Sequence, residues 1–364
     1  DPLVDQAAKW EREMYDVRRP ELRWDLNRLD ELYLRFNTGD SYLRYGRLNI
    51  NEGPLFLQRD GRMNAFVYQG LWAEINEYEG HALKLGLING ASPRGYTEWF
   101  SLNDLIGLQS RGKQPNGQTS DYLGTSGIKA IYTLGYENTQ VEGLKIKVWN
   151  YLFDKQSNIS WLQFDFTNHG YIAGLQYVHQ QSTSFQEGLE YQERYMQPDE
   201  QANVFNVKFG YTVDRPKGST EWTASYLKAL DTGRFLFPRE LGREDFYVSQ
   251  PRSWIDGWGD VDVFMLRMRY KVKTEKGGEF FLDTRLSRTE APEPTDRTFN
   301  KYGVSSFYQA TIFPTYRFSG KWKGMDIGLL YIYKYTEDEI ELTASQTFYN
   351  TNLHHFNLIA NLHF

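Results

Sequence analysis

Fifteen segments whose side chains alternate between apolar and polar constrain the fold of this chain more than any other feature. A period of two is typical of β-strands whose two faces meet different surroundings. Runs of consecutive apolar residues are far shorter than the roughly 20 residues that a membrane-spanning helix needs. The chain is therefore predicted to be all-β. We place the strands at 29–37, 41–49, 65–77, 81–89, 125–136, 143–153, 158–167, 170–180, 202–213, 220–229, 260–272, 278–288, 306–318, 325–335 and 352–364.

The connections between these strands fall into two length classes that alternate along the chain. Short turns such as 37–40 and 78–81 alternate with long loops such as 90–124, and 154–157 is the one short connection in the long class. Outer-membrane β-barrels have short turns at one end and long loops at the other, and each of their strands needs roughly 9–11 residues to cross the membrane. We predict that residues 1–364 form one transmembrane antiparallel β-barrel domain in a bacterial outer membrane.

The composition agrees with this prediction and argues against other classes of protein. The 26 Tyr, 23 Phe and 10 Trp suit the aromatic girdles that barrels carry at both membrane interfaces. The absence of Cys excludes disulfide frameworks and thiolate metal sites. The net charge of −6 is spread without a basic stripe, which argues against nucleic acid as a partner. The acidic stretch 336–342 lacks a calcium-loop motif, so we predict neither a metal nor a cofactor.

The last strand shows the two faces most clearly. An apolar side chain stands at every second position and ends at Phe364, while His and Asn occupy the other face. The terminal Phe resembles the signal that the outer-membrane assembly machinery reads. We therefore expect that machinery to bind at Phe364, and membrane lipid and lipopolysaccharide to contact the outer face of the strands.

Basic side chains form rows on one face of several strands. In strand 260–272, Arg267 and Arg269 alternate with Leu266 and Met268. Because a charged side chain on the lipid face costs roughly 2–4 kcal/mol at mid-bilayer, the basic face is expected to line the lumen. Such rows give charged solutes a graded path; the alternative for any single Arg is an ion pair that cross-links the wall. The same alternation turns Arg35, Arg44 and Arg317 inward.

The first and last strands are predicted to run in the same direction. Strand 29–37 and strand 352–364 both descend towards the end that carries the short turns. Neighbours at the seam of a closed antiparallel barrel must run in opposite directions. We therefore expect an odd number of further strands outside this chain, unless one strand is miscounted, and we take 1–28 as the remainder of an extracellular loop.

Several motifs, in order along essentially the whole chain, resemble the OprD-type family of specific porins, most closely a Bacteroidota-like branch. They are Leu32-Tyr-Leu-Arg35, Leu43-Arg-Tyr-Gly-Arg47, Arg59-Asp-Gly-Arg-Met63, Gly70-Leu-Trp-Ala-Glu74, Ser92-Pro-Arg-Gly95 and Phe237-Pro-Arg-Glu-Leu-Gly-Arg-Glu-Asp-Phe246. The resemblance implies a barrel of about 18 strands for small solutes, often amino acids or other carboxylate-bearing nutrients. About three N-terminal strands would then be absent from this chain: they are not included in this sequence, or they are cleaved and held non-covalently, or they belong to another chain.

The resemblance also implies that two loops, 50–64 and 230–259, fold inwards and narrow the pore. The alternative is that both are exposed, solvated loops. The residues that the resemblance adds to the pore lining are Arg47, Arg59, Asp60, Arg62, Arg94, Arg234, Arg239 and Arg243.

The predicted function is passive, partly selective diffusion of small charged solutes through an Arg-lined constriction. An enzyme is the first rival, but none of the six His lies in a catalytic motif, so no enzyme is predicted. The second rival is a barrel that mainly anchors or docks a surface lipoprotein or another protein, for which the aromatic loops 90–124 and 181–201 are suited.

Overall fold

The computed structural model describes residues 27–58, 65–109, 111–275, 277–336 and 353–363, which form one antiparallel β-sheet with few helical turns. Its strands are Leu32–Thr38 (β1), Ser41–Leu48 (β2), Val67–Ile75 (β3), His81–Ser92 (β4), Phe100–Ser101 (β5), Ile131–Asn138 (β6), Leu144–Phe153 (β7), Ser157–Asn168 (β8), Tyr171–Ser182 (β9), Gln201–Arg215 (β10), Gly218–Ala229 (β11), Val261–Lys273 (β12), Glu279–Glu290 (β13), Phe307–Arg317 (β14), Met325–Thr336 (β15) and Leu353–Leu362 (β16). The helical elements are α1 (Leu102–Leu105) and the 3-10 turns Ser184–Gly188, Tyr191–Glu193 and Gly320–Trp322. No helix within these ranges is long and apolar enough to cross a membrane.

Each strand pairs with its neighbour in chain order. The hydrogen-bonded path runs from β1 to β16 and omits only β5, a two-residue strand that pairs with β4. Fifteen of the sixteen strands therefore lie on the path. This arrangement confirms the predicted all-β antiparallel fold and the predicted fifteen strands.

The structure differs from the prediction in the long loop 90–124 and in the strand that follows it. The loop contains β5, which was not predicted, and β6 begins at Ile131 rather than at 125. The amide N–H of Gly127, whose φ is 62°, donates a hydrogen bond of 2.7 Å to Asn103 Oδ1. This bond holds residues 125–130 against the part of the loop that contains Asn103. The strand β6 therefore begins six residues later than the alternation of its side chains suggests.

The connections are short at one end of the sheet and mostly long at the other. His169 and Gly170 alone join β8 to β9, and their φ angles of 48° and 84° fit the type I′ turn of a two-residue hairpin. At the other end, 93–130 separates β4 from β6 and 230–260 separates β11 from β12. The loop lengths therefore alternate as predicted.

The two faces of the sheet differ sharply in exposure. In β12, Phe264 and Leu266 are 49% and 61% exposed, whereas Val263 and Met265 are 3% exposed. Exposed Leu, Phe, Tyr and Trp side chains recur on the same face of the other strands. An outer face of this kind suits contact with lipid, and the polar and charged rows are left on the inner face.

Aromatic side chains fill the inner face near the long-loop end. Trp72 and Trp149 are at most 1% exposed, and their ring centroids lie 6.3 Å apart with planes at 22°. Each lies opposite a glycine of the adjacent strand, Gly86 and Gly135 respectively. A Cβ atom added at Gly86 would lie 2.8 Å from Trp72, and one added at Gly135 would lie 2.6 Å from Trp149. The rings therefore pack directly on the neighbouring backbone.

The two ends of the path each have one unpaired edge among the described residues. β1 pairs only with β2, and β16 pairs only with β15. Because the direction alternates along the path, β1 and β16 run the same way. An antiparallel pairing of β1 with β16 is therefore excluded by their direction.

Replacing Gly135 by leucine is expected to lower the stability of the sheet by about 1–3 kcal/mol, because the new side chain must displace Trp149 from a well-packed position. The unfolding temperature of the purified protein in detergent, followed by circular dichroism, measures the effect. Gly188→Leu is the matched control, because an added Cβ atom there meets nothing within 4 Å. Equal unfolding temperatures for the two variants would contradict the packing described above.

Candidate functional site

The segment 230–259, here called the crossing segment, contacts strands that lie far apart in the sheet. The Gln176 side chain of β9 donates a hydrogen bond of 2.8 Å to the Asp245 carbonyl oxygen. The Gln309 side chain of β14 donates one of 2.7 Å to the Pro251 carbonyl oxygen. Both glutamine side chains belong to buried residues of the inner face. The crossing segment therefore spans the space that this face borders.

Tyr247 anchors the crossing segment to β8 and β10. Its hydroxyl donates a hydrogen bond of 2.8 Å to Asp165 Oδ1, which also lies 3.2 Å from Lys208 Nζ. The Lys208 ammonium stands 4.1 Å from the centre of the Tyr247 ring. Gly174 leaves room for this ring, since a Cβ atom there would lie 2.5 Å from the Tyr247 hydroxyl. Burial, and next the charge of Asp165, raise the pKa of Tyr247 well above its usual value, so the hydroxyl stays a donor.

A stack of alternating cations and rings joins the crossing segment to the loop before β14. Trp254 lies between Arg239 and Arg243, each with its guanidinium carbon 4.6 Å from a ring centroid of Trp254. Arg239 also lies 4.2 Å from the Tyr302 ring centroid, and its Nε donates to Asp256 Oδ2 at 2.8 Å. Burial lowers the pKa of Arg243 to about 10, so its guanidinium remains positive at neutral pH.

Two arginines predicted to line the pore, Arg234 and Arg94, are buried among other groups of the protein. Arg234 is 0% exposed; its Nε donates to Glu200 Oε1 at 2.6 Å and its Nη1 to the Lys113 carbonyl oxygen at 2.9 Å. Arg94 is 8% exposed and its guanidinium carbon lies 5.5 Å from the Phe66 ring centroid. A guanidinium enclosed in this way contacts the protein and not a solute. Arg239 and Arg243, held in the stack above, are likewise mostly engaged within the protein.

Arg267, Arg269 and Arg317 lie on the face opposite the exposed apolar side chains of β12 and β14. Arg269 Nε donates to Glu221 Oε1 at 2.9 Å, and Arg317 Nη1 lies 3.5 Å from Glu279 Oε2. The Arg269 and Arg317 side chains are nevertheless 52% and 59% exposed. These two arginines both cross-link neighbouring strands and present charge on the inner face.

The Asp283 carboxylate of β13 is held between two guanidinium groups. Arg267 donates from Nε to Oδ1 at 2.8 Å and from Nη2 to Oδ2 at 2.6 Å. Arg285 donates to the same two oxygens at 3.3 and 2.7 Å, and its Nη1 donates to the Ser249 carbonyl oxygen of the crossing segment at 2.9 Å. Two forks on one carboxylate are the geometry in which arginine recognises this group best.

Arg35 of β1 and Arg44 of β2 lie directly opposite each other, in register with the buried Trp72 of β3. Both guanidinium carbons lie near the Tyr42 ring centroid, at 4.3 Å and 5.1 Å. Among the described residues neither arginine forms an ion pair with a carboxylate. Two positive charges are thus concentrated at one place on the inner face.

Arg47, which was predicted to line the pore, lies on the face of the exposed apolar side chains. It lies opposite Leu32 of β1 and Gln69 of β3, on the same side as Leu34 and Tyr45, which are 63% and 60% exposed. Side chains of paired residues in an antiparallel sheet point to the same face. Arg47 and Arg44, three positions apart on one strand, therefore point in opposite directions.

The loop between β2 and β3 is described only up to residue 58 and again from 65. Arg59, Asp60 and Arg62 therefore lie outside the described residues. The described part runs beside the crossing segment: Phe56 forms a parallel bridge with Arg243, and the amide N–H of Asp245 donates to the Pro54 carbonyl oxygen at 2.8 Å. The loops 50–64 and 230–259, which the family resemblance predicts to narrow the pore, are thus in contact through their backbones.

Lys301 connects three of the long loops. It is 2% exposed, its Nζ donates a hydrogen bond of 3.2 Å to the Tyr122 hydroxyl, and it lies 5.0 and 5.1 Å from the ring centroids of Tyr122 and Tyr195. The three residues come from 93–130, 183–200 and 291–306. Burial lowers the pKa of Lys301 to about 8.

The sequence reasoning named basic residues of this region and missed their acidic and aromatic partners. Asp283 and Arg285 stand on the inward alternation of the predicted strand 278–288, so the same pattern could have found them. No periodic signal marks Trp254 or Tyr247, because both lie in an irregular loop. No cluster of three or more metal-ligating side chains occurs in the described ranges.

No protein-family model and no curated protein sequence matches the chain. Solved structures are similar to it. Pseudomonas aeruginosa OpdQ is 15% identical, with a TM-score of 0.64 over 90% of this chain and 79% of that one. Acinetobacter baumannii OccAB4 is 10% identical, with a TM-score of 0.62 over 91% and 73%. A doubly substituted variant of OccD1 (OprD) is 13% identical, with a TM-score of 0.61 over 90% and 76%. The chain has the OprD/Occ fold. Similarity at these identities concerns the fold, and it lends no support to a Bacteroidota-like branch.

The packing of the loops around Lys301 is expected to become more stable as the pH rises from about 8 to about 10.4. The folded pKa of Lys301, about 8, lies below the value of about 10.4 for an exposed lysine. Between these values the opened state binds more protons than the folded state, so alkaline pH favours folding. Unfolding temperatures of the wild type and of Lys301→Met, measured at several pH values, test this. The unfolding temperature of the wild type should rise relative to that of Lys301→Met across this pH interval. A difference that does not change with pH would contradict the lowered pKa of Lys301.

Proposed function

We propose that this chain forms a channel in a bacterial outer membrane through which small charged solutes, such as amino acids and carboxylates, diffuse passively. Arg35 and Arg44 lie opposite each other on the inner face and form no ion pair among the described residues, and this is the observation that carries the proposal. Their two charges support a wall that attracts the carboxylate of a passing solute. The OprD/Occ fold and the apolar outer face support the membrane location.

The constriction in this proposal is formed by the crossing segment together with the inner wall. The contacts of the crossing segment with β9 and β14 support a narrowed lumen at its level. Its own arginines contribute little to the pore lining, because Arg234 is fully enclosed and Arg239 is paired with Asp256. The charges that a solute meets are then those of the wall, above all Arg35 and Arg44, which concentrate positive potential and attract anions.

The remaining predictions are part of the same proposal. Membrane lipid and lipopolysaccharide would contact the outer face, and the assembly machinery would bind at Phe364, which lies outside the described residues. The Bacteroidota-like branch, the constriction lined by 50–64, and a surface lipoprotein stay predictions. A role as a non-enzymatic channel agrees with the OprD/Occ fold.

Replacing Arg35 and Arg44 together by glutamine is expected to lower the anion-to-cation permeability ratio about two- to fivefold, the effect of losing roughly 0.5–1 kcal/mol of attraction. The reversal potential of single channels in a planar bilayer under a salt gradient measures this ratio. Arg47→Gln is the matched control, since it removes one arginine of β2 from the outer face and should leave the ratio unchanged.

Two outcomes of that measurement would overturn the proposal. Wild-type protein that inserts but conducts no ions would favour the rival function, a barrel that docks a protein partner. A double variant with the permeability ratio of the wild type would remove Arg35 and Arg44 from the solute path.

A further inference from the structure

A cavity of about 320 Å3 opens on the outer face of β1 to β3 and the neighbouring part of β4. It lies towards the ends of β2, β3 and β4 that lead into long loops. Its lining has two chemically distinct sides. Leu29, Leu32 and Tyr45 form the apolar side, and Arg47, Gln69 and Asn89 form the polar side. A cavity with this division fits a ligand that has an apolar part and a polar, acidic part.

Two glycines and a β-bulge border the cavity. Gly46 of β2 and Gly70 of β3 lie opposite each other and have φ angles of 138° and 154°, which side chains rarely permit. Both line the cavity, and a Cβ atom at either position would clash with a backbone oxygen of the adjacent strand, that of Leu32 or that of Leu87. A bulge in the pairing of β3 with β4 lies between Gln69 and Gly70 and adds Asn89 as an extra residue, which is exposed. Bulges redirect side chains in this way.

Arg47 supplies a positive charge to this face. Its Nη1 donates a long hydrogen bond of 3.4 Å to the Leu29 carbonyl oxygen, and its guanidinium carbon lies 4.5 Å from the Trp99 ring centroid. Within the described parts of the chain, no carboxylate forms an ion pair with it. A charge on the lipid-facing side is tolerated near the membrane surface, where the cost falls to about 0–1 kcal/mol. An anion supplied by the membrane would compensate that charge.

We infer that this cavity binds an anionic lipid of the outer leaflet by its headgroup phosphate. The Arg47 guanidinium, with its several N–H donors, binds phosphate oxygens, and the amides of Gln69 and Asn89 provide further donors. The acyl chain lies against Leu29, Leu32 and Tyr45. The inference rests on the proposed membrane location and is independent of conduction.

Native mass spectrometry of the detergent-purified full chain tests the inference with three probes. Dioctanoyl phosphatidic acid carries both phosphate and acyl chains, dioctanoylglycerol only the chains, and inorganic phosphate only the anion. The wild type is expected to bind one phosphatidic acid, and the other two probes at least about tenfold more weakly. Arg47→Gln should weaken phosphatidic acid binding about tenfold, the effect of losing one charged hydrogen-bonding group, whereas Arg44→Gln, on the inner face, should not change it.

The amide of Asn89 allows a second test of the same lipid site. Asn89→Leu removes one amide donor and should weaken phosphatidic acid binding by a smaller factor than Arg47→Gln does. Equal binding of phosphatidic acid by Arg47→Gln and the wild type would overturn the inference, and so would inorganic phosphate binding as tightly as the lipid.

Conductance separates this inference from the proposed function. A wild type that conducts, with lipid binding insensitive to Arg47→Gln, would overturn only the lipid site. A wild type that binds phosphatidic acid through Arg47 but does not conduct would support the lipid site and overturn the channel. Circular dichroism and unfolding temperature should be the same for Arg47→Gln and Arg44→Gln, which establishes that both variants are folded.

Discussion

Backbone amides and carbonyls that are shielded from water must bond to each other, and this constraint governs the rest of the structure. The path from β1 to β16 meets it by pairing each strand with its neighbour in chain order. Once strands are paired in register, every second side chain faces outwards, and a shift by one residue would exchange the two faces. The apolar outer face, the charged inner face and the space available to the crossing segment all follow from that register.

Charges on the inner face are arranged in two different ways. Most are bound to partners on adjacent strands, as Arg267 is to Asp283, which stabilises the wall and keeps polar groups inward. Arg35 and Arg44 have no such partner in the described part of the chain and concentrate positive potential instead. The crossing segment adds arginines of a third kind, such as Arg234, whose burial without the Glu200 carboxylate would cost several kcal/mol. An arginine in a loop that is predicted to narrow a pore can therefore be bound entirely within the protein.

The alternation of the sequence was sufficient to predict the strands, their order and the inner position of Arg35, Arg44, Arg267, Arg269 and Arg317. It was not sufficient where long-range contacts decide the structure. Arg234 is paired with a carboxylate 34 positions away, and the start of β6 is set by a bond to Asn103 in the preceding loop. Arg47 was assigned to the pore from a motif resemblance, although the alternation from Arg44 already points it outwards. The pairing of Arg47 with Leu32 and Gln69 follows the periodicity.

The contacts of the crossing segment also bear on the order of assembly. Its backbone accepts hydrogen bonds from Tyr68 in β3 and from Gln309 in β14, the former across 173 positions of the chain. Contacts between residues so distant in sequence close slowly, because the entropy of the intervening chain must be lost first. The segment can complete its contacts only after strands from both halves of the sheet are in place. The packing of the crossing segment is thus a late step of folding, and it depends on strands from both halves of the sheet.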